Sequence, residues 1–129
     1  MKINLAQLSP SLSRGLSSFY WLSSDDSALQ EEALSLILEE ANKNGFNEKQ
    51  HFVLSNQFDD DALWQSLHNR SLWQQKKILL VHLNAGKLTQ KGASHFVECL
   101  RLLNSDTLLI IQSLKLETIL QWFAILVIS

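Results

Sequence analysis

Residues 66–83 read S-L-H-N-R-S-L-W-Q-Q-K-K-I-L-L-V-H-L. The second half is a nearly continuous apolar run of Ile78, Leu79, Leu80, Val81 and Leu83. Its length and content predict a strand buried on both faces, the usual state of a central parallel strand. The first half has no such regularity. Leu72 and Trp73 stand side by side between Arg70-Ser71 and Gln74-Gln75-Lys76-Lys77, and neither helical nor strand periodicity places an apolar pair there. Two readings are open: the pair folds back onto the core, or it is displayed to a partner.

Strand and helix signals alternate on both sides of this stretch. Leu5, Leu8, Leu12 and Leu16 recur at helical spacing, with Pro10 expected near a helix start. Phe19-Tyr20-Trp21-Leu22 predicts an aromatic strand. It runs into Ser23-Ser24-Asp25-Asp26-Ser27, a turn with several helix-capping candidates, and Gln30 stands in capping-box register with Ser27. A helix burying Leu29, Ala33, Leu36, Ile37 and Ala41 should follow and stop at Asn44-Gly45. Phe52-Val53-Leu54 predicts the next strand. Asp59, Asp60 and Asp61 favour the start of a helix with Leu63, Trp64 and Leu67 on its apolar face. Beyond Leu83, a helix marked by Leu88, Phe96, Val97, Leu100 and Leu103, with Gly92 inside it, leads to a strand at Thr107-Leu108-Leu109-Ile110-Ile111. This alternation predicts a layered α/β domain with a mainly parallel sheet and right-handed crossovers. The last residues, 116–129, are very apolar for a terminus. They are expected to form a final strand or helix, or to be the cut end of a longer chain.

The 129 residues suit one domain with a real core, and 46% hydrophobic with 19% charged residues is an ordinary globular balance. The formal charge of −2 and the absence of a basic block argue against a free-standing nucleic-acid binder. One cysteine, Cys99, excludes an internal disulfide and fits a reducing compartment. No stretch reaches the roughly 20 apolar residues of a membrane span, and the N-terminus lacks the apolar core of a signal peptide. A cytoplasmic protein is expected.

Chemistry is largely missing. In an open α/β sheet the functional place is the carboxyl end of the strands. The loop after the first long strand has no glycine and no lysine, both of which a phosphate-cradling loop requires, and it carries two aspartates instead. The strand of residues 78–83 ends in His82-Leu83-Asn84, with no carboxylate for Mg²⁺. A phosphate-accepting receiver domain would need an aspartate at that place, where only Asn84 is available. His51, His68, His82 and His95 show no paired metal spacing, and His95 with Cys99 supplies two ligands where a closed zinc site needs four. A thiol in mid-helix on a packed face is also a poor nucleophile.

The order of these features resembles a known family. The leucine-spaced opening contains Arg14-Gly15-Leu16. Tyr20-Trp21-Leu22 is followed by Ser24-Asp25-Asp26 and a Gln30-Glu31-Glu32-Ala33 helix. Then come Gly45-Phe46 with Glu48, Trp64 ahead of Ser71-Leu72-Trp73, the Leu79-Leu80 strand, Asp106-Thr107-Leu108-Leu109-Ile110-Ile111 and Lys115-Leu116. This set, reaching to about Leu116, resembles the N-terminal domain of the delta subunit of the bacterial DNA polymerase III clamp loader.

The resemblance implies a three-layer α/β fold with a clamp-loader AAA+ or P-loop NTPase-like layout and a degenerate nucleotide site. It implies a role in DNA replication as part of the DNA polymerase III holoenzyme, a DNA-directed DNA polymerase, with no cofactor and no catalysis by this chain. The partner it implies is the beta sliding clamp, which the family grips and helps open with a helix ending in a Gln-x-x-Ser-Leu-Phe-like motif. The matching positions are His68, Ser71, Leu72 and Trp73, with histidine replacing the glutamine and tryptophan the phenylalanine. Residues 1–129 would be the single clamp-binding domain, without the lid and collar domains that join other loader subunits, and direct DNA contact is not expected. The competing readings are a receiver-like or other small α/β signalling domain, a small phosphotransfer or nucleotide enzyme, and a purely structural domain with Leu72 and Trp73 turned inward.

Overall fold

Strand β4, Lys77–Leu83, contains the apolar run of residues 78–83, and its side chains feed both layers that cover the sheet. The computed structural model describes residues 2–3, 5–54, 60–68, 76–84, 89–114 and 127–128. In chain order these form β1 (Lys2–Ile3), α1 (Leu5–Arg14), β2 (Phe19–Ser23), α2 (Ser27–Lys43), β3 (Glu48–Leu54) and α3 (Asp61–His68). β4, α4 (Gln90–Arg101), β5 (Thr107–Ser113) and β6 (Val127–Ile128) follow. The strands make one sheet in the order β1-β6-β2-β5-β4-β3, and every pairing in it is parallel.

Alternation along the strands sorts the core into two layers. Phe19, Trp21, Leu79, Val81, Leu83, Leu109 and Ile111 pack under α3 and α4, which contribute Leu63, Leu67, Phe96 and Cys99. Tyr20, Leu22, Ile78, Leu80, Leu108 and Ile110 pack under α1 and α2, which contribute Leu8, Leu12, Ala33, Ile37 and Ala41. The first layer is aromatic. The Trp21 ring meets Phe96 edge-on at 4.9 Å between centroids, and Phe19 lies 5.4 Å from Phe96, separations at which aromatic rings attract. The expected three-layer α/β fold is therefore present, and its sheet is wholly parallel among the described residues.

Several boundaries differ from expectation for identifiable reasons. Pro10 is the sixth residue of α1, not near its start. Its missing N–H deprives the carbonyl of exposed Ala6, while burial of Leu8 and Leu12 holds the helix down. α2 buries Ala33, Ile37 and Ala41, and leaves Leu29 and Leu36 half-covered. It closes as expected at Gly45, whose φ of 91° suits glycine. The Phe46 N–H donates to the Ala41 carbonyl and the Gly45 N–H to that of Asn42, the paired bonds of a Schellman ending. β3 begins four residues earlier than Phe52. It is an edge strand with Glu48, Lys49 and His51 exposed, a polar pattern that hides it from a hydrophobic scan. At the far end of the chain, Val127–Ile128 pair with both β1 and β2, so the end of the apolar tail is strand.

The path of the chain fixes where a site can form. From β2 it crosses to the far edge at β3 by way of α2 on one face. It then works back through β4 to β5 by way of α3 and α4 on the other face, and β5 lies beside β2. Connections leaving β2 and β4 thus diverge to opposite faces, which opens a crevice at the carboxyl ends of the strands.

Candidate functional site

The crevice holds an open cleft of about 420 Å³, lined by the β2–α2 turn and by the ends of β4 and β5. At its floor the N-terminus of α2 is already occupied. Asp26 is the N-cap of α2, and its Oδ1 accepts from the N–H groups of Ala28 at 3.0 Å and Leu29 at 3.2 Å. Those are the donors a helix N-terminus would offer to an anion, and the chain's own carboxylate has taken them. Asp26, not Ser27, is therefore the cap, and Gln30 does not close a capping box. Its Nε2 instead faces the carbonyls of Leu22 at 3.2 Å and Ser24 at 2.8 Å, together with that of Ser113. This amide stitches the turn to β5. Below it, the Trp21 indole Nε1 donates to Ser113 Oγ at 2.8 Å.

The end of β4 supplies no metal ligand of the expected kind. Leu83 is buried, and Asn84 is exposed with its N–H donating to the Leu54 carbonyl at 3.0 Å. Among the described residues no group of three or more His, Cys, Asp or Glu side chains could hold a metal ion. Cys99 is fully enclosed. Burial, reinforced by the nearby Glu98 charge, pushes its thiol up to about 12, so it is protonated and inert near neutrality. His95, one turn earlier, has its ring edge-on to Trp64 at 6.2 Å.

The second place of interest is the end of α3. Asp60 Oδ1 accepts from the Leu63 N–H at 3.0 Å and secures the helix start, as the aspartate cluster predicts; Asp59 lies outside the described residues. Leu63 and Leu67 are buried, Trp64 is half-buried, and His68 is exposed at the last position. The His68 ring lies nearly parallel to Trp64, 6.3 Å away. Lys77, at the start of β4, donates to the Ser66 carbonyl in the last turn of α3. Lys76 donates to the Asn44 carbonyl at 2.9 Å and sits 5.4 Å over the Phe46 ring. The last turn of α3 and the start of β4 are thus tied together, at the amino edge of the sheet and across the domain from the cleft. Of the four motif positions, His68 is located here; Ser71, Leu72 and Trp73 lie outside the described residues.

Gln112 and Ser113 are not singled out by the sequence, and Gln30 is marked there as a capping partner of Ser27. A signal was present. After Ile111 the two-residue period continues into Gln112 and Ser113, polar residues ending an otherwise apolar strand, and both are buried. No described helix is long and apolar enough to cross a membrane.

Comparison with known proteins agrees with this architecture. A family model described as DNA polymerase III, delta subunit, matches residues 20–127. The DNA polymerase III subunit delta of Haemophilus influenzae is 35% identical over 112 residues, which covers 85% of this chain and 32% of the relative. The chain therefore spans about a third of that relative's length. The match runs from the second residue of β2 to the first of β6, and on this ground the chain belongs to the DNA polymerase III delta subunit family.

Proposed function

We propose that this domain is a protein-binding module of DNA replication that grips the beta sliding clamp of DNA polymerase III and favours its opening without hydrolysing ATP. His68, Ser71, Leu72 and Trp73 form the grip, with Leu72 and Trp73 as apolar anchors. The observation that carries the reading is the exposure of His68 at the end of a pinned helix, with an adjacent Leu-Trp pair four residues further along the sequence. Pinning lowers the ordering cost of binding, and tryptophan is over-represented among interface hot spots. The capped α2 N-terminus supports the second half: the donors that would hold a phosphate are occupied by Asp26. The energy for opening then comes from binding, because a ligand shifts an equilibrium only by its differential affinity for the two states.

The test is binding to the sliding clamp of the same organism, comparing the chain with a Leu72→Ala/Trp73→Ala double variant. Truncating such an anchor costs about 2 kcal/mol or more, so a loss of about 30-fold is expected, with circular dichroism confirming that the variant is folded. Binding retained by the variant would move the site elsewhere. Failure of the unmodified chain to bind would overturn the reading.

A further inference from the structure

We propose that Trp64 is a positioning residue of the clamp grip, which holds the His68 ring in the orientation that the clamp receives. The inference rests on the sliding-clamp reading above and adds a residue outside the four motif positions. α3 is a helix of eight residues, marginal by itself in water, so contacts with the rest of the domain set its course. Leu63 and Leu67 are buried in the layer beneath it, Asp60 caps its start, and Lys77 holds the Ser66 carbonyl near its end. Those contacts fix the backbone of the helix. His68 is exposed at the last position, and the contact that reaches its ring comes from Trp64.

Trp64 stands one helical turn before His68 and on the same face. The two ring centroids are 6.3 Å apart, with the planes inclined by 26°. His95 of α4 meets the same indole edge-on, at 6.2 Å and 85°. Both separations fall in the range where aromatic rings attract. Three rings therefore run from α4, through Trp64, to the last residue of α3. Trp64 is half-buried and packs against the core layer under α3, so its indole is a fixed body on which the imidazole rests. An imidazole offers hydrogen bonds only in the plane of its ring, and stacking limits the directions that plane can take. A side chain ordered before binding loses less freedom on binding. The same helix could be held to the core by an aliphatic residue at position 64, but an aliphatic side chain would leave the His68 ring free to turn.

The test is a double-mutant cycle in binding of the full chain to the sliding clamp of the same organism. Trp64→Leu keeps an apolar side chain over the core and removes the ring, and Kd should rise about three- to tenfold, the span expected for loss of an aromatic pair. Trp64→Phe keeps a ring and should bind within about twofold of the unmodified chain. His68→Ala should weaken binding about as much as Trp64→Leu, and the double variant no more than His68→Ala alone, because Trp64 acts through His68. In the free chain, the ¹H signals of the His68 ring should move in Trp64→Leu towards those of an unstacked histidine. Losses that add in the double variant would overturn the proposal and make Trp64 a contact or a packing residue in its own right. Unchanged binding by Trp64→Leu would overturn it and leave the clamp reading standing. Unchanged binding by His68→Ala, at an exposed position that spares the fold, would overturn it whatever Trp64→Leu does. Failure of the unmodified chain to bind would overturn the clamp reading and this assignment with it.

Discussion

The two edges of the sheet differ in what their polar groups do. At the carboxyl edge, where an α/β domain ordinarily binds its ligand, Asp26, Gln30 and Ser113 direct their hydrogen bonds inward to the protein's own backbone and to Trp21. At the amino edge, Lys76 and Lys77 tie the start of β4 to the end of α2 and the last turn of α3, and the sequence between His68 and Lys76 includes the Leu-Trp pair. The first edge resembles a binding site whose donors have been turned to structural use. The second is a structural joint whose sequence has the composition of a binding site. The contrast shows that the position of a functional loop in a fold and the chemistry available there can separate, so function has to be argued from the side chains.

The comparison breaks most easily at Gln30. Replacing Gln30 with leucine removes the side-chain amide that faces the carbonyls of Leu22, Ser24 and Ser113. A loss of about 2–3 kcal/mol is expected, read as a lower urea midpoint at unchanged slope. Cys99 provides an independent reading. Its enclosed thiol reacts only when α4 leaves the sheet, so labelling at pH 8 should accelerate about 30-fold or more in this variant. A stability loss well under 1 kcal/mol would show that the carboxyl edge is not braced in this way.

Asp26→Ala should cost less, about 1 kcal/mol, the usual value of an N-cap. It also sharpens the functional half of the contrast. Freeing the N–H groups of Ala28 and Leu29 should create no measurable ATP affinity, because the turn still lacks the glycines and lysine of a phosphate loop. Nucleotide binding by this variant in calorimetry would mean that capping alone closed the site.

Most of the fold was legible in the sequence because apolar periodicity reports burial directly. Residues 78–83, 19–22 and 107–111 are apolar strands, and all lie inside strands of the sheet. β3 was read short because an edge strand has one wet side, and Val53 remains 65% exposed there. The sequence leaves the cap open among the five residues Ser23 to Ser27, because such side chains differ little in capping strength and only geometry separates them; the capping box with Gln30 did not form. The emptiness of the nucleotide position was legible from missing glycine and lysine. The unpartnered Gln112 oxygen was not, since it follows from three-dimensional neighbours that no spacing rule records. The motif at His68, Ser71, Leu72 and Trp73 came from family resemblance, not from the residues' own periodicity.

The smallest expected effect is at Lys77, on the amino edge, and its sign is opposite to that of the core. Burial lowers the Lys77 pKa from 10.5, partly offset by Glu48, so the folded state gives up this proton before the unfolded state does. Its contribution is fully present above the unfolded pKa and is lost as pH falls through the folded one. Cys99 and Tyr20 work the other way. Burial raises both from ordinary values of 9.0 and 10.0, so the unfolded chain ionises first and stability drains as pH rises above about 9. The net alkaline slope should therefore be downward, with Lys77 softening it as pH rises towards 10.5. Lys77→Met removes the softening, and the loss of stability between pH 9 and 11 should steepen by less than about 1 kcal/mol. Urea midpoints across that range measure it. A shallower slope in the variant would mean that the Lys77 ammonium is favoured by folding, and that its tie to the Ser66 carbonyl outweighs its burial.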